Sequence, residues 1–81
     1  VVMHSALINS STTIGDNCII NSKALVEHDC SIFEHCHIST NATINGGVIV
    51  KPGCFIGSGT ITKESITIAE NSFIKAGSLV I

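Results

Sequence analysis

The sequence predicts an all-β fold, a left-handed parallel β-helix of hexapeptide repeats, and three observations carry that reading. Every sixth residue from Val2 through Ile8, Ile14, Ile20, Val26, Ile32, Ile38, Ile44, Val50, Ile56, Thr62, Ile68, Ile74 and Val80 is Val or Ile, with the single exception of Thr62. Val and Ile make up roughly a quarter of the chain, so about three or four of these fourteen positions would hold one by chance, and thirteen do. Four residues after each aliphatic runs a second column, Ala6, Thr12, Cys18, Ala24, Cys30, Cys36, Ala42, Val48, Cys54, Thr60, Ile66, Ser72 and Ser78, in which small residues dominate. Between the columns gather Gly, Asn, Asp and Ser, as in Gly15-Asp16-Asn17, Gly46-Gly47 and Gly57-Ser58-Gly59. These residue types tolerate tight turns and left-handed backbone angles. A period of six is neither the 3.6 of a helix nor plain strand alternation, and it belongs to β-helical repeats.

Each element follows from that register. Three hexads close one triangular coil, the branched aliphatic points into the prism, and the small residue fits beside a corner. At eighteen residues per coil, the 81 residues make a single domain, 1–81, of about four and a half coils. Such a column is stabilised coil against coil and needs at least about three repeats. The residue before each inward aliphatic points outward. One outward column reads Val1, Ile19, His37, Phe55, Phe73; a second reads Leu7, Leu25, Thr43, Ile61, Leu79; the third reads Thr13, Ser31, Ile49, Thr67. Two walls are therefore apolar and one is polar. Contiguous outward apolar columns mark an interface, and two unlike sticky walls suit a head-to-tail contact that closes as a homotrimer. The chain opens in the apolar run Val1-Val2-Met3 and stops at Leu79-Val80-Ile81 without a polar cap, so it is expected to be part of a longer protein.

Composition removes several classes of function. The net charge is −2, there is no Arg, and the four lysines, Lys23, Lys51, Lys63 and Lys75, are scattered. Nucleic-acid binding needs a concentrated basic face and usually stacking aromatics, whereas this chain has three Phe and no Trp or Tyr. No apolar run approaches the roughly 20 residues of a membrane span, and no signal peptide with a charged start is present, so a soluble cytoplasmic protein is expected. The four cysteines, Cys18, Cys30, Cys36 and Cys54, all fall in the small-residue column. They are read as buried free thiols and not as a zinc or disulfide framework, although stacked pairs one coil apart make a disulfide conceivable.

One stretch is chemically dense. Val26-Glu27-His28-Asp29-Cys30-Ser31-Ile32-Phe33-Glu34-His35-Cys36-His37 holds three of the four His and three of the six acids. Register assigns Val26, Cys30, Ile32 and Cys36 to the interior and leaves Glu27, His28, Asp29, His35 and His37 at corners or facing outward. Counting eighteen residues on places Gly46 and Gly47 above His28 and Asp29, a notch where a substrate can approach the imidazole. A His flanked by carboxylates serves as general base near neutral pH. The same residues also read as a surface His among solvated acids. Zinc held by His28, His35 and His37 across a subunit boundary, as in β-helical carbonic anhydrases, is a third reading, less suited to Asp29 and the notch. His37 interrupts an apolar wall, where it either serves the site or simply packs on Phe55. Lys63-Glu64-Ser65, beside the exceptional Thr62, is read as a distorted coil or small loop, and Lys51-Pro52-Gly53 as a corner turn.

The segment from Ile19 to Cys30, with its Glu27-His28-Asp29-Cys30 element, followed by His37-Ile38-Ser39 and Gly46-Gly47-Val48-Ile49-Val50, resembles the β-helix domain of bacterial sugar acyltransferases. The nearest types are sialic-acid O-acetyltransferases and the enzymes that N-acetylate UDP-linked 4-amino sugars for surface glycans. The resemblance implies a homotrimer that uses acetyl-CoA as co-substrate, bound between adjacent prisms, and no metal. It implies His28 as the general base, Asp29 as the carboxylate that raises its basicity, and His37 at the thioester end of acetyl-CoA. Gly46, Ser58 and Ala76 would line the cofactor path, and Asn21 and Glu27 would lie on the sugar side, with Asn21 close to His28. Members of the family usually add an N-terminal nucleotide-sugar domain and further C-terminal coils, which are expected to lie outside these 81 residues. The alternative from a different class is a non-catalytic trimerisation module.

Overall fold

Thirteen two-residue strands and no helix make up the computed structural model, which describes all 81 residues. The strands are β1 Leu7–Ile8, β2 Thr13–Ile14, β3 Ile19–Ile20, β4 Leu25–Val26, β5 Ser31–Ile32, β6 His37–Ile38, β7 Thr43–Ile44, β8 Ile49–Val50, β9 Phe55–Ile56, β10 Ile61–Thr62, β11 Thr67–Ile68, β12 Phe73–Ile74 and β13 Leu79–Val80. Every pairing is parallel and joins a strand to the third one after it, as in Leu7 with Leu25 and Ile19 with His37. The result is a β-solenoid of about four coils. Its first wall is β1-β4-β7-β10-β13, its second β2-β5-β8-β11 and its third β3-β6-β9-β12.

The strands are short because each offers one inward and one outward side chain before the chain must turn. The inward residues, Ile20, Val26, Ile32, Ile38, Ile44, Val50 and Ile56, form one buried column with the small residues beside them. The turns are equally regular. Ser5, Ser11, Asn17, Lys23, Asp29, His35, Asn41, Gly47, Gly53, Gly59, Ser65, Asn71 and Gly77, again one residue in six, all have positive φ. At that angle the corner N–H points along the solenoid axis and donates to the coil before it, as Asp29 does to Ser10 O at 3.0 Å and Gly47 to His28 O at 3.0 Å.

The cysteines have a more specific role than small size. At the corner between the third and first walls, the carbonyl of the residue just after the strand is closed by a local turn bond, as in Ala24 N to Asn21 O and Ala42 N to Ser39 O, both 3.2 Å. The small residue there is alanine in the first three coils. All four cysteines stand at the other two corners. Each donates its thiol to the carbonyl fifteen residues on: Cys18 to Phe33 at 3.0 Å, Cys30 to Asn45 at 3.1 Å, Cys36 to Lys51 at 3.2 Å and Cys54 to Ala69 at 3.1 Å. Thr12 does the same to Glu27 O at 2.7 Å. At Phe33, Asn45 and Lys51 a weak S–H donor thus covers a carbonyl that no local turn bond closes, whereas Ala69 O also accepts from Ser72 N at 3.2 Å; all four thiols are free.

Thr62 lies in no loop. It is the inward residue of β10, only 1% exposed, and what it alters is the ladder. β10 pairs with β7 through Ile61 and Thr43 alone, whereas β4 and β7 pair through both residues. A threonine has the shape of the valine expected there and adds one hydroxyl, which accepts the Asn45 N–H at 3.1 Å.

Candidate active site around His28

The corner between the first and second walls carries Glu27, His28 and Asp29 in one coil, Asn45, Gly46 and Gly47 in the next, and Glu64 and Ser65 above them. These eight residues line an open cleft of about 670 Å³ with no hydrophobic side chain. The hexad register builds it, because positions three and four of each repeat lie outside the core and successive coils stack them directly. His28 Nδ1 lies 3.0 Å from Asp29 Oδ2. The carboxylate accepts, so Nδ1 carries the proton, and in the neutral imidazole Nε2 keeps its lone pair. Side-chain exposures of 60% for His28 and 66% for Asp29 make this contact orienting and not a source of stability.

Gly46 seats the ring. A Cβ placed on Gly46 would lie 2.8 Å from Cε1 and 2.9 Å from Nε2 of His28, so the imidazole occupies the space that any other residue would fill. The notch expected beside His28 is therefore partly filled by the ring itself, and the open volume lies beyond it. Gly47 takes φ +72° and completes the roof. Glu27 reaches down to accept from Asn9 Nδ2 at 3.0 Å. Burial pushes the Cys30 thiol up from its ordinary pKa and the Cys36 thiol up to about 11. Cys30, the one cysteine next to the cleft, is therefore a protonated structural donor and not a nucleophile.

The other candidate residues lie elsewhere in the chain. His37 stands on the third wall, edge-on to Phe55 with centroids 5.2 Å apart, and Phe55 stacks on Phe73 at 5.1 Å. Asn21, at the corner between the third and first walls, comes within 3.4 Å of His37 Nε2. Within one chain Asn21 therefore pairs with His37 and does not lie beside His28, because the first wall separates their two corners. Ser58 and Ala76 belong to the same corner as Asn21, one coil apart, with Gly77 N donating to Ser58 O at 2.8 Å. His35 is at the remaining corner, 3.0 Å from Asn17 Nδ2. His28, His35 and His37 thus occupy three different sides of the prism, and no three metal-ligating side chains converge within the chain. Asn45, Glu64 and Ser65 complete the cleft; each stands eighteen residues on from a residue of the coil before, Glu27, Gly46 and Gly47, so the coil period is the signal that finds them. No helix is long and apolar enough to cross a membrane. Comparison with known protein families and with curated proteins finds no match.

Proposed function

We propose that this chain is the core of an acetyltransferase that moves the acetyl group of acetyl-CoA to an amine or hydroxyl of a free or nucleotide-linked sugar, with His28 as general base. The observation that carries this reading is the oriented His28–Asp29 pair, its free Nε2 seated against Gly46 at the mouth of a polar cleft. His28 Nε2 takes the proton of the acceptor as its nitrogen or oxygen attacks the thioester carbonyl. Collapse of the tetrahedral intermediate breaks the carbon–sulfur bond, and the proton on His28 passes to the departing CoA sulfur. Asp29 keeps Nδ1 protonated and the ring in place throughout.

Three carboxylates, Glu27, Asp29 and Glu64, line the cleft and no cation does, which favours an acceptor that arrives as an ammonium, gives its first proton to solvent and attacks as the neutral amine. The same charge keeps the phosphates of CoA outside, along a groove between protomers where His37 stands. A head-to-tail homotrimer, with the first wall of one protomer on the third wall of the next, supplies that groove. It also carries His37 of the partner subunit towards the His28 corner.

Release of the CoA thiol, followed with acetyl-CoA and amino-sugar or hydroxy-sugar acceptors, tests the assignment. Wild type is expected to release thiol in an acceptor-dependent manner, and His28→Ala to lose about 10²–10⁴-fold in rate. Equal release by the two proteins would remove His28 as the base.

A further inference from the structure

The one exception in the inward column stands directly over this cleft. In neighbouring coils of the first wall, the N–H that follows the strand donates to the carbonyl of the inward residue above: Asn9 to Val26 O at 2.8 Å, Glu27 to Ile44 O at 2.8 Å and Lys63 to Val80 O at 2.7 Å. Asn45 is the same position one coil above Glu27, and its N–H goes to Thr62 Oγ1 instead, at 3.1 Å. The Thr62 carbonyl so released accepts from Asn45 Nδ2 at 2.7 Å. Backbone and side chain of Asn45 are thus both held by Thr62.

Asparagines at the equivalent position elsewhere behave differently. Asn9 and Asn21 turn their Oδ1 onto the next backbone N–H, that of Ser10 at 2.8 Å and that of Ser22 at 2.7 Å. Asn45 is instead drawn up to Thr62, and the residue after it is Gly46, whose Cα forms the seat of the His28 ring. Replacing Thr62 by valine deletes the hydroxyl without changing the shape. It returns the Asn45 N–H to the ordinary ladder and frees the Asn45 amide to cap Gly46, so the seat moves.

We infer that Thr62 is a positioning residue: through Asn45 its buried hydroxyl sets the height of Gly46 above His28 and thereby the orientation of the imidazole. The consequence for acetyl transfer rests on the function proposed above; the consequence for the ring does not. Two readouts separate them. In ¹⁵N-resolved NMR of the full chain, Thr62→Val and Asn45→Ala are each expected to shift the His28 ring nitrogens and Cε1–H, whereas Thr62→Ser, which keeps the hydroxyl, restores the wild-type signals. In the thiol-release assay Thr62→Val is expected to lower kcat about tenfold with KM little changed, and Thr62→Ser to recover it. Thr62→Val with unshifted His28 resonances in a folded chain overturns the inference. Shifts in His28 from a protein without transfer activity uphold the positioning role and count against the acetyltransferase reading alone.

Discussion

A single methyl group at position 46 tests the His28 site more sharply than removal of the His itself, because nothing but ring placement changes. The added carbon would sit within 3 Å of two ring atoms, and the exposed imidazole has room to swing out and away from Asp29. Gly46→Ala is therefore expected to lower the thiol-release rate about tenfold or more while the urea midpoint stays near wild type. The cysteines make a separate prediction. The Cys36 thiol is raised from 9.0 to about 11 by burial, so the folded state favours the protonated form. Its stabilisation is fully present below pH 9 and is lost as pH rises towards 11, since the unfolded chain gives up the proton first. Urea midpoints measured at pH 8 and pH 10.5 should fall for wild type and fall less for Cys36→Ser. His28 and Asp29 could be singled out from the sequence because register removes them from the core, and the cysteines could be assigned to it by the same count. Their thiol bonds could not, because each acceptor is a backbone carbonyl fifteen residues on, brought into reach only by the coil. Nor could the role of Thr62, whose hydroxyl acts only through Asn45, seventeen residues away.

The corners limit the stability of each coil. Every sixth residue must hold φ near +60°, and nine of those thirteen are not glycine. A side chain at that angle costs about 1–2 kcal/mol, least for Asn and Asp, which bond locally. Gly, Asn, Asp and Ser could be foreseen at these positions, but Lys23 and His35 could not, since neither type signals a left-handed turn. Lys23, at φ 61°, has no such compensation, and Lys23→Gly is expected to raise stability by about 1 kcal/mol. Gly59 is the converse control: it has φ +71° and nothing within 4 Å of an added Cβ, so Gly59→Ala should cost about 1 kcal/mol from the backbone alone. Gly57 differs in kind. A Cβ there would overlap Ala76 N in the next coil, so Gly57→Ala must separate two coils and should cost more than Gly59→Ala. Chemical denaturation of the three variants ranks these effects, and Gly59→Ala at least as damaging as Gly57→Ala would refute the distinction.

At the scale of the molecule, the apolar walls and the division of the site residues point to the same assembly. Leu7, Ile61 and Leu79 on the first wall and Ile19 and Phe73 on the third are exposed, Phe73 by 72%. The proposed trimer would join these unlike walls head to tail into a ring, and if it forms, Phe73→Glu is expected to convert it into single folded chains in sedimentation. The ring also decides how the site is shared. His28 and His37 do not meet within one prism, so in the proposed trimer a complete site would take His28 from one protomer and His37 from the next. Chains carrying only His28→Ala or only His37→Ala are then each inactive as homotrimers, but their mixture is not. After unfolding and refolding together at equal amounts, a given interface pairs an intact His28 with an intact His37 in about one case in four, so about a quarter of wild-type activity should return. A site contained in one chain recovers nothing on mixing, because every chain in the mixture lacks one of its two histidines. Activity that follows the product of the two chains' fractions, with its maximum at equal amounts, therefore separates a shared site from a trimer that merely holds complete sites side by side.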